Sequence, residues 1–303
     1  MNKLYYFVTF ILCFIRSFIQ KPTKTVGRSW YCECIFRSIK VTTNRAENHS
    51  IPWLRTQQHI LGALLPFSSK AVVSTIDIAG FSCRVYSPSA EINWQQVTVY
   101  FHGGGFVLDG GKAYHHYCQY LAMACNTTVV LLEYRLAPEH QYPTAHNDCF
   151  AMANALMLSH PESDFQWIGD SAGASLLLAT YQQLNIGSDQ TVLNSKRVNR
   201  IALISPWVMP NAIDDSMTNN EQYDYLNGQV LKRWFDAYCK QQDRATLEEL
   251  CFAFPFNDAP PLYIQYSPQE VMAQQIKNFV EHGINNGADI TCDEYNNLFH
   301  NFQ

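Results

Sequence analysis

From about residue 95 onward, the chain alternates between strand-like and helix-like patterns of hydrophobic positions. Runs of β-branched and aromatic residues read as strands, at 95–103, 127–135, 164–170, 200–207, 260–267 and 289–296. Apolar residues at helical spacing follow most of them, at 113–126, 143–160, 174–184 and 270–284. This order predicts an α/β fold, in which a mostly parallel central sheet carries helices on both faces.

Two stretches before this alternation, and two regions outside it, complete the predicted organisation. Residues 71–79 and 81–88 read as an antiparallel hairpin at the edge of the sheet. The segments that do not fit the alternation are helix-like, and we expect them to form a helical cap over the sheet. The chain then divides into an N-terminal cap segment, a first core part, a cap insertion and a second core part, at 1–70, 71–208, 209–256 and 257–303.

Composition narrows the class of protein. With 303 residues, 47% of them hydrophobic, the chain can bury one large core, and a net charge of −5 provides no basic field for nucleic acid. The ten cysteines are scattered without zinc-site spacing, which favours reduced thiols in a cytoplasmic protein. The apolar run from Leu4 to Ile15 is short for a membrane span. An N-terminal helix packed on the domain is favoured, with membrane association through residues 4–19 as the alternative.

The first chemical motif is Gly-x-Ser-x-Gly at Gly169, Ser171 and Gly173. It follows a predicted strand and opens a predicted helix, which is the setting of a nucleophile elbow. A tight turn of this kind exposes the serine oxygen near a helix N-terminus, where unpaired amides favour developing negative charge. Ser171 is therefore the predicted nucleophile.

A run of glycines follows an earlier strand, in the stretch HGGG from His102 to Gly105. In a parallel sheet the carboxyl ends of the strands share one edge, so this loop should lie beside Ser171. Backbone amides without side chains around them can approach a developing oxyanion closely. The predicted oxyanion hole consists of the amides of Gly103, Gly104 and Ala172.

Chain order selects the base and the acid. A serine on an elbow is followed along the chain by an acid and then a histidine, and only His282 and His300 come after Ser171. His282 falls within a predicted helix, whereas His300 lies in the loop after the last strand. Glu270, which follows the preceding strand, is the predicted acid that orients the imidazole. The competing interpretation of Glu270 is a glutamate at a helix N-terminus.

Together these residues resemble the hormone-sensitive-lipase-like family of α/β-hydrolases. The stretches HGGGF, YRLAPEHQYPTAHND, GDSAGA and SPW stand in that family's order and spacing. The resemblance implies the α/β-hydrolase fold with a helical cap, and ester hydrolysis by a serine triad without metal or cofactor. It also leads us to expect an ion pair between Arg135 and Glu139. The candidates for the pocket wall are Phe106, Tyr134 and Trp207, and the alternative interpretation is that these three are ordinary core aromatics.

The resemblance also implies a closing C-terminal helix, which is missing between His300 and Gln303. The function that the sequence predicts is a serine carboxylesterase acting on small or medium acyl esters. An amidase or deacetylase with the same triad, and a non-catalytic small-molecule-binding protein on the same fold, are the alternatives.

Overall fold

The structure is a computed structural model that describes residues 12, 15, 19, 27–46, 49–64, 67–186, 194–210, 214–240, 243–244 and 251–303. The segment 4–19 proposed for membrane association therefore lies outside the described residues except at Leu12, Ile15 and Ile19. Within the described ranges, no helix has the length and apolar character needed to cross a membrane.

Eight strands form one sheet in the order β1-β2-β4-β3-β5-β6-β7-β8. Their bounds are β1 Val72–Ile78, β2 Phe81–Ser87, β3 Gln96–Phe101, β4 Thr128–Leu132, β5 Asp164–Asp170, β6 Val198–Ile204, β7 Leu262–Tyr266 and β8 Ile290–Glu294. Strand β2 pairs antiparallel with both β1 and β4, and every other pairing is parallel. The predicted edge hairpin and the mostly parallel sheet are thus confirmed.

Helices follow most of the parallel strands, and others come from the two regions outside the alternation. In chain order they are α1 Trp30–Ala46, α2 Ile51–Leu64, α3 Gly111–Cys125, α4 Thr144–Ser159, α5 Ala172–Asn185, α6 Asp215–Asn219, α7 Gly228–Tyr238 and α8 Ala273–Asn285. The α/β class is therefore confirmed. The boundaries of the proposed cap at 1–70 and 209–256 stay a prediction, since parts of both lie outside the described ranges.

Burial follows from the hydrophobic pattern. Every residue of β4 is buried, because helices cover both faces of a central parallel strand. Helix α5 has buried residues at most of its positions and packs against the sheet. Its small residues permit a close approach: a Cβ at Gly173 would lie 2.1 Å from the carbonyl oxygen of Phe101. The elbow after β5 is thereby held directly against the end of β3.

Candidate active site

Ser171 occupies the turn between β5 and α5. Its backbone has φ 50° and ψ −122°, a left-handed conformation that is rare for a residue with a side chain. The amide of Ser171 donates to Ile204 O at 3.0 Å, and its carbonyl accepts from the amides of Ala174 at 3.1 Å and Trp207 at 3.0 Å. Three neighbours thus hold the turn in the strained conformation that the sequence motif predicts.

The predicted acid and base lie side by side in the interior. His300 Nδ1 donates to Glu270 Oε2 at 3.0 Å, and both side chains are almost completely buried. The other carboxylate oxygen, Oε1, accepts from Ser205 Oγ at 2.8 Å and from the Ser267 amide at 2.7 Å. These two donors fix the carboxylate, and the carboxylate fixes the imidazole. The helix N-terminal interpretation of Glu270 is wrong, because α8 begins only at Ala273 and the side chain points to His300.

The surroundings of His300 favour its protonated form. Burial by itself lowers the pKa of this imidazole, but the hydrogen bond and charge of Glu270, followed by the charges of Asp224 and Asp170, outweigh it and raise the pKa above its ordinary value. With Nδ1 donating to Glu270, the neutral ring carries its free electron pair on Nε2. Nε2 is therefore the atom available to take a proton.

Asp170 joins the three loops of the site, and the sequence reasoning assigned it no role. Its Oδ1 accepts from the Gly103 amide at 2.8 Å and from Tyr100 OH at 3.0 Å. Its Oδ2 accepts from Tyr114 OH at 2.7 Å and from Asn301 Nδ2 at 2.6 Å. The residue before the predicted nucleophile and the residue after the predicted base are therefore in direct contact. A buried aspartate at the end of an apolar strand was the available signal.

The structure differs from the predicted oxyanion hole at Gly103. Its amide is committed to Asp170 Oδ1, and an amide has one proton to donate. A Cβ at this position would lie 2.3 Å from Asp170 Oδ2, so the absent side chain makes room for the carboxylate. The expectation that Gly103 serves an oxyanion is therefore wrong in this geometry.

The remaining amides of the glycine loop are uncommitted. Within the described ranges, no hydrogen bond is donated by the amides of Gly104, Gly105 or Ala172. Ala172 is the first residue of α5, where a helix leaves its amides unpaired. Gly104 has φ 107°, which a residue with a side chain rarely adopts, so glycine is required at this turn.

The three aromatic candidates for the pocket wall are buried next to these loops. Phe106 stacks on Tyr238 with the ring centroids 4.2 Å apart, and lies 5.7 Å from Trp207. Tyr134 stacks on His102 at 4.2 Å and donates its hydroxyl to the carbonyl oxygen of that residue at 2.7 Å. Phe106 and Trp207 have no exposed surface, and their part in a pocket stays a prediction.

The expected ion pair between Arg135 and Glu139 is wrong. Arg135 instead grips Asp148, with Nε–Oδ2 2.9 Å and Nη2–Oδ1 2.7 Å. Glu139 pairs with Arg55 of α2 at 3.0 and 2.8 Å. The planar guanidinium favours such two-point contacts, and the fold brings a better-placed partner to each residue than its neighbour in sequence.

Two further charged residues, both missed in the sequence, anchor the loop that carries His300. Arg28 is 6% exposed and donates from Nε to Asn297 O at 2.6 Å and from Nη2 to Leu298 O at 3.1 Å and to Tyr223 O. Asp224, from the segment between β6 and β7, accepts from the His300 amide at 3.2 Å. No sequence signal identified either one, because each comes from a segment far from His300 in the chain.

Metal-ligating residues do not cluster in the described ranges. No three histidine, cysteine, aspartate or glutamate side chains among these residues come together in a way that could hold a metal ion.

The fold agrees with comparisons to known proteins. The profile of a family described as alpha/beta hydrolase fold matches residues 98–303, about two thirds of the chain. The chain belongs to the alpha/beta hydrolase family. This hydrolase also resembles in fold an esterase from the bacterial hormone-sensitive lipase family, with a TM-score of 0.75 at 21% identity over 87% of this chain and 88% of the other. The predicted α/β-hydrolase family and fold are thus confirmed.

Among curated relatives, this hydrolase is similar to versiconal hemiacetal acetate esterase of Aspergillus parasiticus, at 30% identity over 159 residues. That alignment covers 52% of the chain and 48% of the relative, so the chain spans about half of the relative's length. It is also 24% identical to an esterase of Acinetobacter venetianus, over 92% of the chain and 90% of the relative. These names agree with the predicted class, a carboxylic ester hydrolase.

Proposed function

We propose that this hydrolase is a serine carboxylesterase that uses Ser171, His300 and Glu270. The observation that carries the proposal is the contact between the strained serine turn and the loop of the buried His300–Glu270 pair. Asp170, which precedes Ser171, accepts a hydrogen bond from Asn301, which follows His300. Such an arrangement supplies a nucleophile, a base and an orienting acid at one edge of the sheet.

The chemistry follows from these groups. Ser171 Oγ attacks the ester carbonyl carbon while His300 Nε2 takes its proton, and the imidazolium is stabilised by Glu270. The negative charge develops on the former carbonyl oxygen, which accepts hydrogen bonds from the free amides of Gly104, Gly105 and Ala172. In this proposal Gly105 takes the place that the sequence assigned to Gly103.

The second half of the reaction reverses these roles. The imidazolium of His300 gives its proton to the leaving alkoxide as the carbon–oxygen bond breaks, which leaves an acyl group on Ser171. Water then attacks the acyl-enzyme, with His300 again as the base, and releases the carboxylic acid and the free serine. The reaction consumes one water and needs no redox partner.

For the substrate we propose small to medium acyl esters, with short acyl groups favoured. One relative is named for an acetate ester. In this proposal the acyl group binds next to the elbow, beside the buried rings of Phe106 and Trp207, which we expect to limit its length. A series of p-nitrophenyl esters from acetate to decanoate tests this, and maximal kcat/KM on the longest chains would contradict it.

The test of the nucleophile is Ser171→Ala. We expect kcat on p-nitrophenyl acetate to fall by about 10⁴-fold or more, as for other serine triads. Ser159→Ala is the control, because its hydroxyl at the end of α4 donates to Ala155 O at 2.9 Å and has no other hydrogen bond within the described ranges. Hydrolysis that persists in Ser171→Ala would refute the mechanism.

A fluorophosphonate probe separates the enzyme from the alternatives. Covalent labelling of wild-type Ser171 indicates an activated nucleophile, whereas folded protein without labelling favours a binding protein. A matched pair of acetate ester and acetanilide substrates then distinguishes an esterase from an amidase.

A further inference from the structure

His300 has a second acidic neighbour that does not belong to the triad. Asp224 lies between α6 and α7, and its side chain is completely buried. We propose that Asp224 is a positioning residue, which locks the loops of His300 and Glu270 together and adds a second negative charge beside the imidazolium. The inference rests on the proposed serine hydrolase mechanism.

The geometry of Asp224 is that of a bridge. Oδ2 accepts from the amide of Val271, the residue after Glu270, at 2.9 Å. Oδ1 accepts from the His300 amide at 3.2 Å. The acid and the base are on separate loops, after β7 and β8, so their relative position depends on groups that contact both. One carboxylate does so here.

The segment around Asp224 is itself well fixed. Oδ1 also accepts from the amide of Tyr225 at 2.7 Å, and the Tyr225 ring lies edge-on to the imidazole with centroids 6.0 Å apart. Asn220 Nδ2 donates to Glu270 O at 2.8 Å and to Pro268 O at 3.0 Å. Asn220 and Asp224 thus both bind the loop that carries Glu270, and Asp224 also binds the loop that carries His300.

The charges around these groups define the electrostatic part of the role. The groups that act on His300 are Glu270, Asp224 and Asp170. The groups that act on Asp224 are His300 and Glu270 in the site, and Arg28 and Lys40 from the N-terminal segment. Burial raises the pKa of Asp224 to about 6, while the charge of His300 lowers this pKa and the charge of Glu270 raises it.

Attack by the serine places a positive charge on His300, and an ionised Asp224 stabilises that charge. The acid limb is the fall of kcat/KM at low pH, where His300 becomes protonated and can no longer act as the base. Removal of the Asp224 charge lowers the pKa of His300, so this acid limb moves to lower pH. The weaker stabilisation of the imidazolium lowers the plateau of kcat at the same time. A purely structural role would not shift the limb.

The experiment compares wild type, Asp224→Asn and Asp148→Asn on p-nitrophenyl acetate across pH. For D224N we expect kcat to fall by about tenfold or more, the loss of a hydrogen bond to a charged acceptor, with KM little changed. Its acid limb should move to lower pH. The control D148N removes another buried carboxylate, which pairs with Arg135, and should keep the wild-type limb.

The outcomes are distinct. A D224N protein with wild-type kcat and acid limb overturns the role of Asp224 while the esterase stands. A wild type that neither hydrolyses esters nor reacts with fluorophosphonate overturns the proposed function and this inference with it. If D224N does not fold, Asp224→Glu replaces it. The charge is then kept and the limb should stay, while kcat falls because the bridge is misplaced, and an unchanged kcat would overturn the proposal.

Discussion

The contact between Asp170 and Asn301 leads to a prediction that tests how the His300 loop is attached. Asn301→Asp changes one NH₂ group to an oxygen and preserves the shape of the side chain. Asparagine and aspartate both tolerate the left-handed backbone found here, where φ is 49°. The substitution therefore changes chiefly the atom that faces Asp170 Oδ2 at 2.6 Å.

The magnitude can be worked from that distance. Two full charges 2.6 Å apart repel by about 6 kcal/mol at an effective dielectric constant of about 20. Keeping one carboxyl protonated instead costs about 1.4 kcal/mol for each pH unit above its ordinary pKa, or roughly 5–6 kcal/mol at pH 8. Asn301 is partly exposed and can turn toward water, so we expect a loss of about 3 kcal/mol in the free energy of unfolding at pH 8.

The sign of the pH dependence follows from proton linkage. A shared proton raises the pKa of the carboxyl pair in the folded state above its value in the unfolded chain. The folded state then binds more protons, so its stability relative to wild type falls as pH rises from about 4 through the raised pKa. At pH 5 the expected loss is only about 1 kcal/mol.

Urea unfolding of wild type and N301D at pH 5 and pH 8 is the assay. The matched control is Asn297→Asp, which makes the same change in the same loop, at φ 63°. No hydrogen bond joins the Asn297 side chain to a carboxylate among the residues that the structure describes. If N301D follows wild type within about 0.5 kcal/mol at both pH values, the contact with Asp170 does not exist and the reasoning is refuted.

Two further substitutions test how the site is held. Gly173→Ala would place a Cβ 2.1–2.5 Å from backbone oxygens at the end of β3. We expect the free energy of unfolding to fall by more than about 2 kcal/mol and ester hydrolysis to be lost. Urea unfolding checks this against the control Gly228→Ala, whose new Cβ would lie 3.7 Å from a flexible side-chain atom of Glu221. Arg28→Met keeps an apolar side chain against Phe36 but removes the hydrogen bonds to the His300 loop. We expect the free energy of unfolding to fall by about 2–4 kcal/mol and kcat to fall as well. Equal unfolding curves for R28M and wild type would contradict the anchoring role of Arg28.

Local patterns were enough to predict the core of the fold and the residues proposed for the triad. Ser171 lies in a motif whose meaning depends on a strand before it and a helix after it, and both are visible in the hydrophobic pattern. Glu270 and His300 were selected by chain order and by the shared edge of a parallel sheet, and the structure places them 3.0 Å apart. The two side chains meet because parallel topology brings the ends of strands together whatever the details of packing.

What the sequence did not predict depends on which partner a polar group finds. The glycine loop was identified, but the commitment of the Gly103 amide depends on the rotamer of Asp170. Arg135 and Glu139 are four positions apart in sequence, yet each pairs with a residue on a helix, Asp148 and Arg55 respectively. Arg28 and Asp224 have no motif, because their importance comes only from where the fold places them.

The hydrogen bond from Arg28 to Asn297 joins residues 269 positions apart in the chain. Contacts between distant residues cost more loop entropy, and they form late in folding. We therefore expect the loop of the proposed base, His300, to be held in place only after these two distant segments have met. We expect the candidate active site to be the last part of the molecule to fold and the first to unfold. Local unfolding should then abolish activity before the core unfolds.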